Sequence, residues 1–264
     1  MRNLALAAPL FALLALAAIP SQAQEQDDDR PWRTRVALGP QLVPDFPGAS
    51  NVAIRPYIGV SRARGDDPFA FTAADDTFGV ALLRFDRFSF GPSLGFEGER
   101  SRADTDDLLP SVGFSLELGG FAQYDLLPKV RLRVEARQGV SGHEGFVANL
   151  GADYVARDGD RWLFSLGPRV TLTDGRYQRA YFGVAPADAV AAGLDAFRPD
   201  GGVQSVGATA GAIRQLSPRI GLRGYAKYDR LVADAADSPV VRAFGSRNQI
   251  SGGVALTYTF GVRD

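Results

Sequence analysis

His143 is the only histidine in the chain and the natural starting point for chemistry. Ser141 precedes it by two residues and Glu144 follows it, and in an extended chain Ser141 and His143 share a face. With an acid such as Glu135 they could form a relay in which the imidazole takes the serine proton. The stretch Ser141-Gly142-His143-Glu144-Gly145 reads better as a polar turn at a strand end. Spacing alone does not supply the geometry by which a triad is recognised, so a lipid hydrolase is the weakest functional reading. Acidic groups are the second place to look: Asp66-Asp67, Asp75-Asp76, and Asp104 with Asp106 and Asp107. None has the glycine and closing glutamate of a calcium loop, and they read as solvated loop charge. The absence of cysteine removes thiolate metal sites and disulfides. No catalytic, cofactor-binding or metal-binding residue is assigned, and a non-enzymatic protein is expected.

The compartment follows from the first residues. Met1 and Arg2 precede an apolar run from Leu4 to Ile19, and Pro20, Ser21 and Ala23 give a small-residue cleavage pattern before Gln24. The run is shorter than the roughly 20 residues a spanning helix needs. Residues 1–23 are therefore expected to be a signal peptide, 24–31 an acidic periplasmic segment and 32–264 the folded domain. Loss of Arg2 with the leader leaves 28 basic against 30 acidic side chains, too little positive charge for a nucleic-acid surface. Thirty glycines and sixteen prolines without a collagen period point to many turns and crowded strands.

From Trp32 onward short segments alternate in character. Phe88, Phe90, Pro92, Leu94 and Phe96 oppose Arg87, Ser89, Gly91, Ser93, Gly95, Glu97 and Glu99; Val130, Leu132 and Val134 oppose Lys129, Arg131, Arg133, Glu135 and Arg137. Period two means strands with two different environments. Three features place the apolar face in lipid. The polar face is rich in small residues, as a crowded barrel interior requires. Connections alternate between tight (near 86, 128, 159 and 218) and long (101–109, 174–201 and 232–247). Aromatics gather beside the tight turns and the C-terminus: Phe85, Phe88, Tyr124, Tyr154, Trp162, Tyr258 and Phe260. The expected fold is an all-β, transmembrane, antiparallel up-and-down barrel in the outer membrane, facing lipid, with the tight turns in the periplasm.

Strands are placed near 33–43, 51–63, 76–85, 87–100, 111–125, 129–140, 145–156, 160–173, 202–215, 218–231 and 248–260. Because closed bacterial barrels hold an even number, a twelfth short strand is expected at 68–72, where Phe69 and Phe71 share a face. The loop 174–201 carries its own element: Pro186, an alanine-rich run and Gly193 spell a short helix. It either folds over the mouth or stands exposed.

Arg55, Arg131, Arg133, Arg137, Arg169, Arg223 and Lys227 are assigned to the same interior as Glu97, Glu99, Glu117, Glu135, Asp153 and Asp229. Charges away from bulk water must pair or line a wet lumen. One reading is a salt-bridged filling that stiffens the wall, favoured because long side chains largely occupy so modest a bore. The other is a narrow channel whose arginines favour anions.

Two loop motifs add a resemblance. Tyr181-Phe182-Gly183-Val184-Ala185-Pro186, with Ala189, Gly193-Leu194 and Phe197, and later Asp237-Ser238-Pro239-Val240-Val241 with Gly245-Ser246, resemble the signature loops of the MipA/OmpV family. Pro44-Asp45-Phe46-Pro47-Gly48 and Arg55-Pro56 are similar to its opening hairpin. The resemblance implies an outer-membrane protein that acts as a scaffold for periplasmic peptidoglycan-processing enzymes, without cofactor or catalytic residues. It makes Tyr181, Phe182, Pro186, Leu194, Phe197, Ser238 and Pro239 the expected partner loops.

Overall fold

The computed structural model describes residues 30–262. The expected leader, the acidic segment up to residue 29 and the last two residues lie outside the described residues. Twelve strands form one antiparallel sheet: β1 (Trp32–Pro44), β2 (Val52–Arg64), β3 (Phe78–Gly79), β4 (Leu83–Phe85), β5 (Phe88–Glu97), β6 (Ser115–Leu127), β7 (Val130–Gly139), β8 (Phe146–Asp158), β9 (Trp162–Thr173), β10 (Gly202–Gln215), β11 (Ile220–Leu231) and β12 (Asn248–Phe260). Each strand from β4 to β12 pairs with the next, and β12 returns to β1, where Val36 faces Tyr258 and Thr34 faces Phe260. The sheet therefore curls into a barrel wall.

Burial along the strands is the reverse of a water-soluble protein. On β7, Arg131, Arg133, Glu135 and Arg137 are buried while Leu132 and Val134 are exposed. Ile54 on β2 is 77% exposed, yet Arg131 is 3% exposed. An apolar surface this continuous marks a membrane-facing wall. No helix among the described residues is long and apolar enough to cross a membrane. The aromatic girdle is real: Phe88 stacks on Tyr124 at 4.4 Å across the β5–β6 pair, and Tyr258 meets Phe260 at 4.7 Å beside the C-terminus.

The twelfth strand is not where parity put it. Residues 68–72 are in no strand; the count is reached because the expected strand at 76–85 is broken into β3 and β4. Both pieces pair with β5, Phe78 facing Leu94 and Leu83 facing Phe90. Following the antiparallel alternation round the sheet, β2 and the β3–β4 run point the same way, and no ladder joins them among the described residues. At the outer end the chain just after β5 meets the Arg55 side chain of β2: a Cβ on Gly98 would lie 2.6 Å from Arg55 Nη2.

Interior crowding explains the small residues. A Cβ on Gly167 of β9 would fall 1.7 Å from the Ala152 carbonyl oxygen on β8, and backbone in a hydrogen-bonded ladder cannot step aside. Gly167→Val is expected to abolish the folded barrel, read as loss of the heat-modifiable band on cold gels. Gly159→Ala, in a turn with open space around it but a left-handed backbone (φ 50°), costs only about 1–2 kcal/mol of local strain and should still give that band.

Candidate functional site

The interior of the wall is filled in part by the segment 65–77, which leaves β2 at the tight-turn end and runs inside the barrel. Phe69 is buried, with the Arg35 guanidinium 4.0 Å and that of Arg33 4.9 Å from its ring centre. Its backbone N donates to Asp160 Oδ1 at 3.1 Å, and its carbonyl accepts from Arg157 Nη1 at 2.8 Å. Arg223 donates to the Thr72 carbonyl at 2.7 Å. Beside this stretch the free volume is only about 30 Å³, space on the order of one water.

The segment ends in Asp75 and Asp76, which meet the wall's cations. Asp75 Oδ2 accepts from Arg169 Nε and from Thr209 Oγ1, both at 2.8 Å, with Lys227 Nζ 3.6 Å away. Asp76 Oδ1 accepts from Arg131 Nη2 at 3.0 Å and stands 3.7 Å from Arg133 Nε. Between them Asp153 of β8 takes Arg131 Nε at 3.0 Å and Arg169 Nη2 at 2.7 Å. The network continues outward through Glu135, which accepts from Arg133, Arg137 and Thr77, and through Arg137 Nε to Glu117 Oε2 at 2.8 Å. Lys227 also pairs with Asp229 at 3.1 Å. Charge-assisted bonds of this kind offset the cost of removing the ions from water.

Most of the lumen charges read from the sequence stand in this interior. Glu117, Arg131, Arg133, Glu135, Arg137, Asp153 and Arg169 are buried; Glu97, Arg223, Lys227 and Asp229 are half-buried. Arg55 lies at the outer end, donating to the Asp45 carbonyl at 2.8 Å. Glu99 is a correction: β5 ends at Glu97, and Glu99 is exposed beyond it. Asp75 and Asp76, read as solvated loop charge, are ion-paired inside. The signal that pointed inward was their company, since two phenylalanines within eight residues are unusual for a solvated loop.

The outer mouth is closed by the long loops, which carry α1 (Gly175–Phe182), α2 (Pro186–Ala192), α3 (Ala233–Asp237) and α4 (Pro239–Phe244). The expected helix is α2, starting at Pro186 and stopping at Gly193 in the left-handed region (φ 64°). α4 carries the same kind of signature, Ser238 at the N-cap, Pro239 at its first position and Gly245 past its end, which the sequence reading passed over; α1 and α3 have no such proline–glycine bracket. Tyr177, Tyr181 and Phe182 of α1 pack with Phe46, Ala235 and Val241 from two other loops in one apolar cluster. Tyr181 donates to the Gly98 carbonyl at 2.9 Å. Ser238 donates to the Phe182 carbonyl at 2.7 Å while its oxygen accepts the Val240 N–H at 3.1 Å.

Four of the expected partner residues, Tyr181, Phe182, Ser238 and Pro239, are thus the buried core of a cap and not a contact surface. Pro186 is exposed, and Leu194 and Phe197 are half-buried. Ser238→Ala strands the Phe182 carbonyl and the Val240 N–H, a loss of about 1–3 kcal/mol. It is expected to speed proteolysis within 174–201 and 232–247 while leaving the urea midpoint of the barrel unchanged.

The serine relay is not assembled. His143 is buried; its Nδ1 accepts the Gly145 N–H at 2.9 Å, which places the proton on Nε2, 3.0 Å from Glu117 Oε1. Both ring nitrogens are occupied. Ser141 Oγ donates to the Phe114 carbonyl at 3.1 Å and accepts the Leu116 N–H at 3.0 Å. No cluster of three or more metal-ligating side chains occurs among the described residues.

Residues 36–260 match the model of the family described as MltA-interacting protein MipA. Solved structures of outer-membrane proteins are similar to this chain at low identity. An outer membrane channel from Pseudomonas putida F1 is 12% identical over 90% of this chain and 100% of its own, with a TM-score of 0.44. The Pseudomonas putida toluene transporter TodX is 11% identical over 92% of each chain, with a TM-score of 0.33. The outer membrane protease OmpT from Escherichia coli is 10% identical over 91% of this chain and 100% of its own, with a TM-score of 0.33. No curated protein matches the sequence.

Proposed function

Because this chain belongs to the MipA family, we propose that it is a non-catalytic scaffold of the outer membrane that holds a periplasmic peptidoglycan-processing enzyme against the wall. The observation that carries this reading is the filled bore. Segment 65–77 and the Asp153 network occupy the interior, and the α1 cluster covers the outer mouth. A protein whose lumen is taken up by its own chain offers partners its rims. On the periplasmic side the tight turns expose Asp66, Asp67, Asp86, Arg87 and Arg161, a mixed-charge surface suited to specific docking.

The test has two arms in the detergent-purified full chain. Planar bilayers should show no stable conductance, and immobilised protein should retain a purified lytic transglycosylase at moderate salt and release it at high salt. Stable conductance from the unaltered chain, or no retention of the transglycosylase, would sink the scaffold reading. A narrow channel is the second reading. It is favoured by one observation: segment 65–77 is tied to the wall by side-chain contacts and lies outside its ladders, so it is removable in principle.

A further inference from the structure

Arg100 follows β5 in the loop that leads to β6. It is 3% exposed and has no carboxylate within 4 Å among the described residues. Its Nη1 donates to the Tyr181 carbonyl at 2.7 Å and its Nη2 to the Pro110 carbonyl at 2.9 Å, while Nε has no partner. Burial pushes this guanidinium below its ordinary range, with Tyr181 and then Asp104 opposing the shift; Asp104 is itself engaged by Ser101. Every other buried arginine described above lies against an acid or an aromatic face. A buried cation held only by carbonyl dipoles is costly unless an anion comes to it.

The place for that anion adjoins it. Arg100 lines a cleft of about 430 Å³ on the outer face, between its own loop and the loop carrying α1 and α2. Arg179 and Arg198 also line the cleft, exposed and without a carboxylate within 4 Å among the described residues, the Arg179 guanidinium lying back over Gly175, one turn along α1. Asp188 is the one acidic side chain there, so three arginines leave an excess of two positive charges. The remaining walls are largely apolar, with Pro110, Val184 and Phe197 offering flat faces. The volume suits a molecule of one or two rings, and the excess charge matches a phosphate dianion, which arginine forks bind through paired N–H groups.

We propose that this outer cleft binds a phosphorylated sugar, free or as the headgroup of a lipid, with the phosphate held by Arg179 and Arg198 above the buried Arg100. The apolar faces then take the ring. This site faces away from the periplasm and is independent of the scaffold reading.

Calorimetric titration of the detergent-purified full chain tests it with glucose 6-phosphate, glucose, inorganic phosphate, and lipopolysaccharide with and without its phosphates. Glucose 6-phosphate or phosphorylated lipopolysaccharide should bind, and glucose and the dephosphorylated lipid should not. Binding only to the lipid assigns the headgroup as the ligand; binding to glucose 6-phosphate shows that a free sugar phosphate suffices. The double variant Arg179→Gln/Arg198→Gln, altered only at exposed positions, should weaken binding at least about tenfold, a change of about 1.4 kcal/mol. Its heat-modifiable band should be unchanged. Unchanged affinity in that variant, inorganic phosphate binding as tightly as every sugar phosphate, or no binding of either phosphorylated probe would overturn the proposal.

Discussion

A chain in which residues 67–76 are replaced by glycine and serine at equal length is expected to expose the barrel interior to small reagents from the tight-turn side. The reporter is Thr209→Cys on β10, a buried position whose hydroxyl bonds Asp75, in a protein that has no cysteine of its own. With the native segment in place, a thiol reagent reaches that position only when Asp75 and Asp76 leave their arginines. Breaking two buried ion-pair sets costs several kcal/mol, and ~3 kcal/mol already suppresses the open state on the order of 100-fold. The replacement should raise the labelling rate by at least that factor. Conductance should not follow from this change alone, because the α1 cluster closes the outer mouth in series with the segment. It should appear when Tyr181→Ala is added, and it should favour anions, since the arginines then outnumber the remaining carboxylates. If the glycine-serine chain labels no faster than the native one, the segment is not the barrier and the wall side chains fill the bore by themselves.

What could be read from residue order was whatever period two or a cap signature encodes locally. The β7 run Arg131, Arg133, Glu135 and Arg137 against Leu132 and Val134 alternates so strictly that strand, inward face and membrane setting all follow. Pro186 and Gly193 bracket α2 in the same local way. The segment 68–72 deceived for a related reason: Phe69 and Phe71 alternate with Ala70 and Thr72, the pattern of a strand edge. What holds it is contact with Arg35, Arg157 and Arg131, each far away in sequence, and no local period records that.

The parity rule misled through an assumption about closure. It holds where neighbouring strands alternate in direction all the way round, whereas β2 and the β3–β4 run point the same way and share no ladder among the described residues. The motif loops misled differently. Tyr181, Phe182 and Ser238 sit in connections long enough to build a core of their own, so residues that look like surface in a loop are the best buried of all. Arg100 carried no signal whatever, because its importance lies in the partner it lacks.

The second large effect is expected at Asp153, and it decides between a dry filling and a wet lumen. Its carboxylate is 1% exposed and lies between Arg131 of β7 and Arg169 of β9. Asp153→Ala leaves two guanidinium groups sharing only Asp75 and Asp76, and breaking a buried pair in this way costs about 3–5 kcal/mol. Asp153→Asn keeps an acceptor without the charge and should cost less. Asp158→Ala, which removes a pair exposed on both sides, should change stability by no more than about 1 kcal/mol. Urea unfolding in lipid vesicles measures all three. Adding Arg131→Met and Arg169→Met to Asp153→Leu should not recover the loss, because Asp75 and Asp76 then lose the arginines they pair with. If Asp153→Ala instead behaves like Asp158→Ala, water is screening the cluster and the interior is hydrated. The arginines would then line a path for anions, and the channel reading would displace the scaffold.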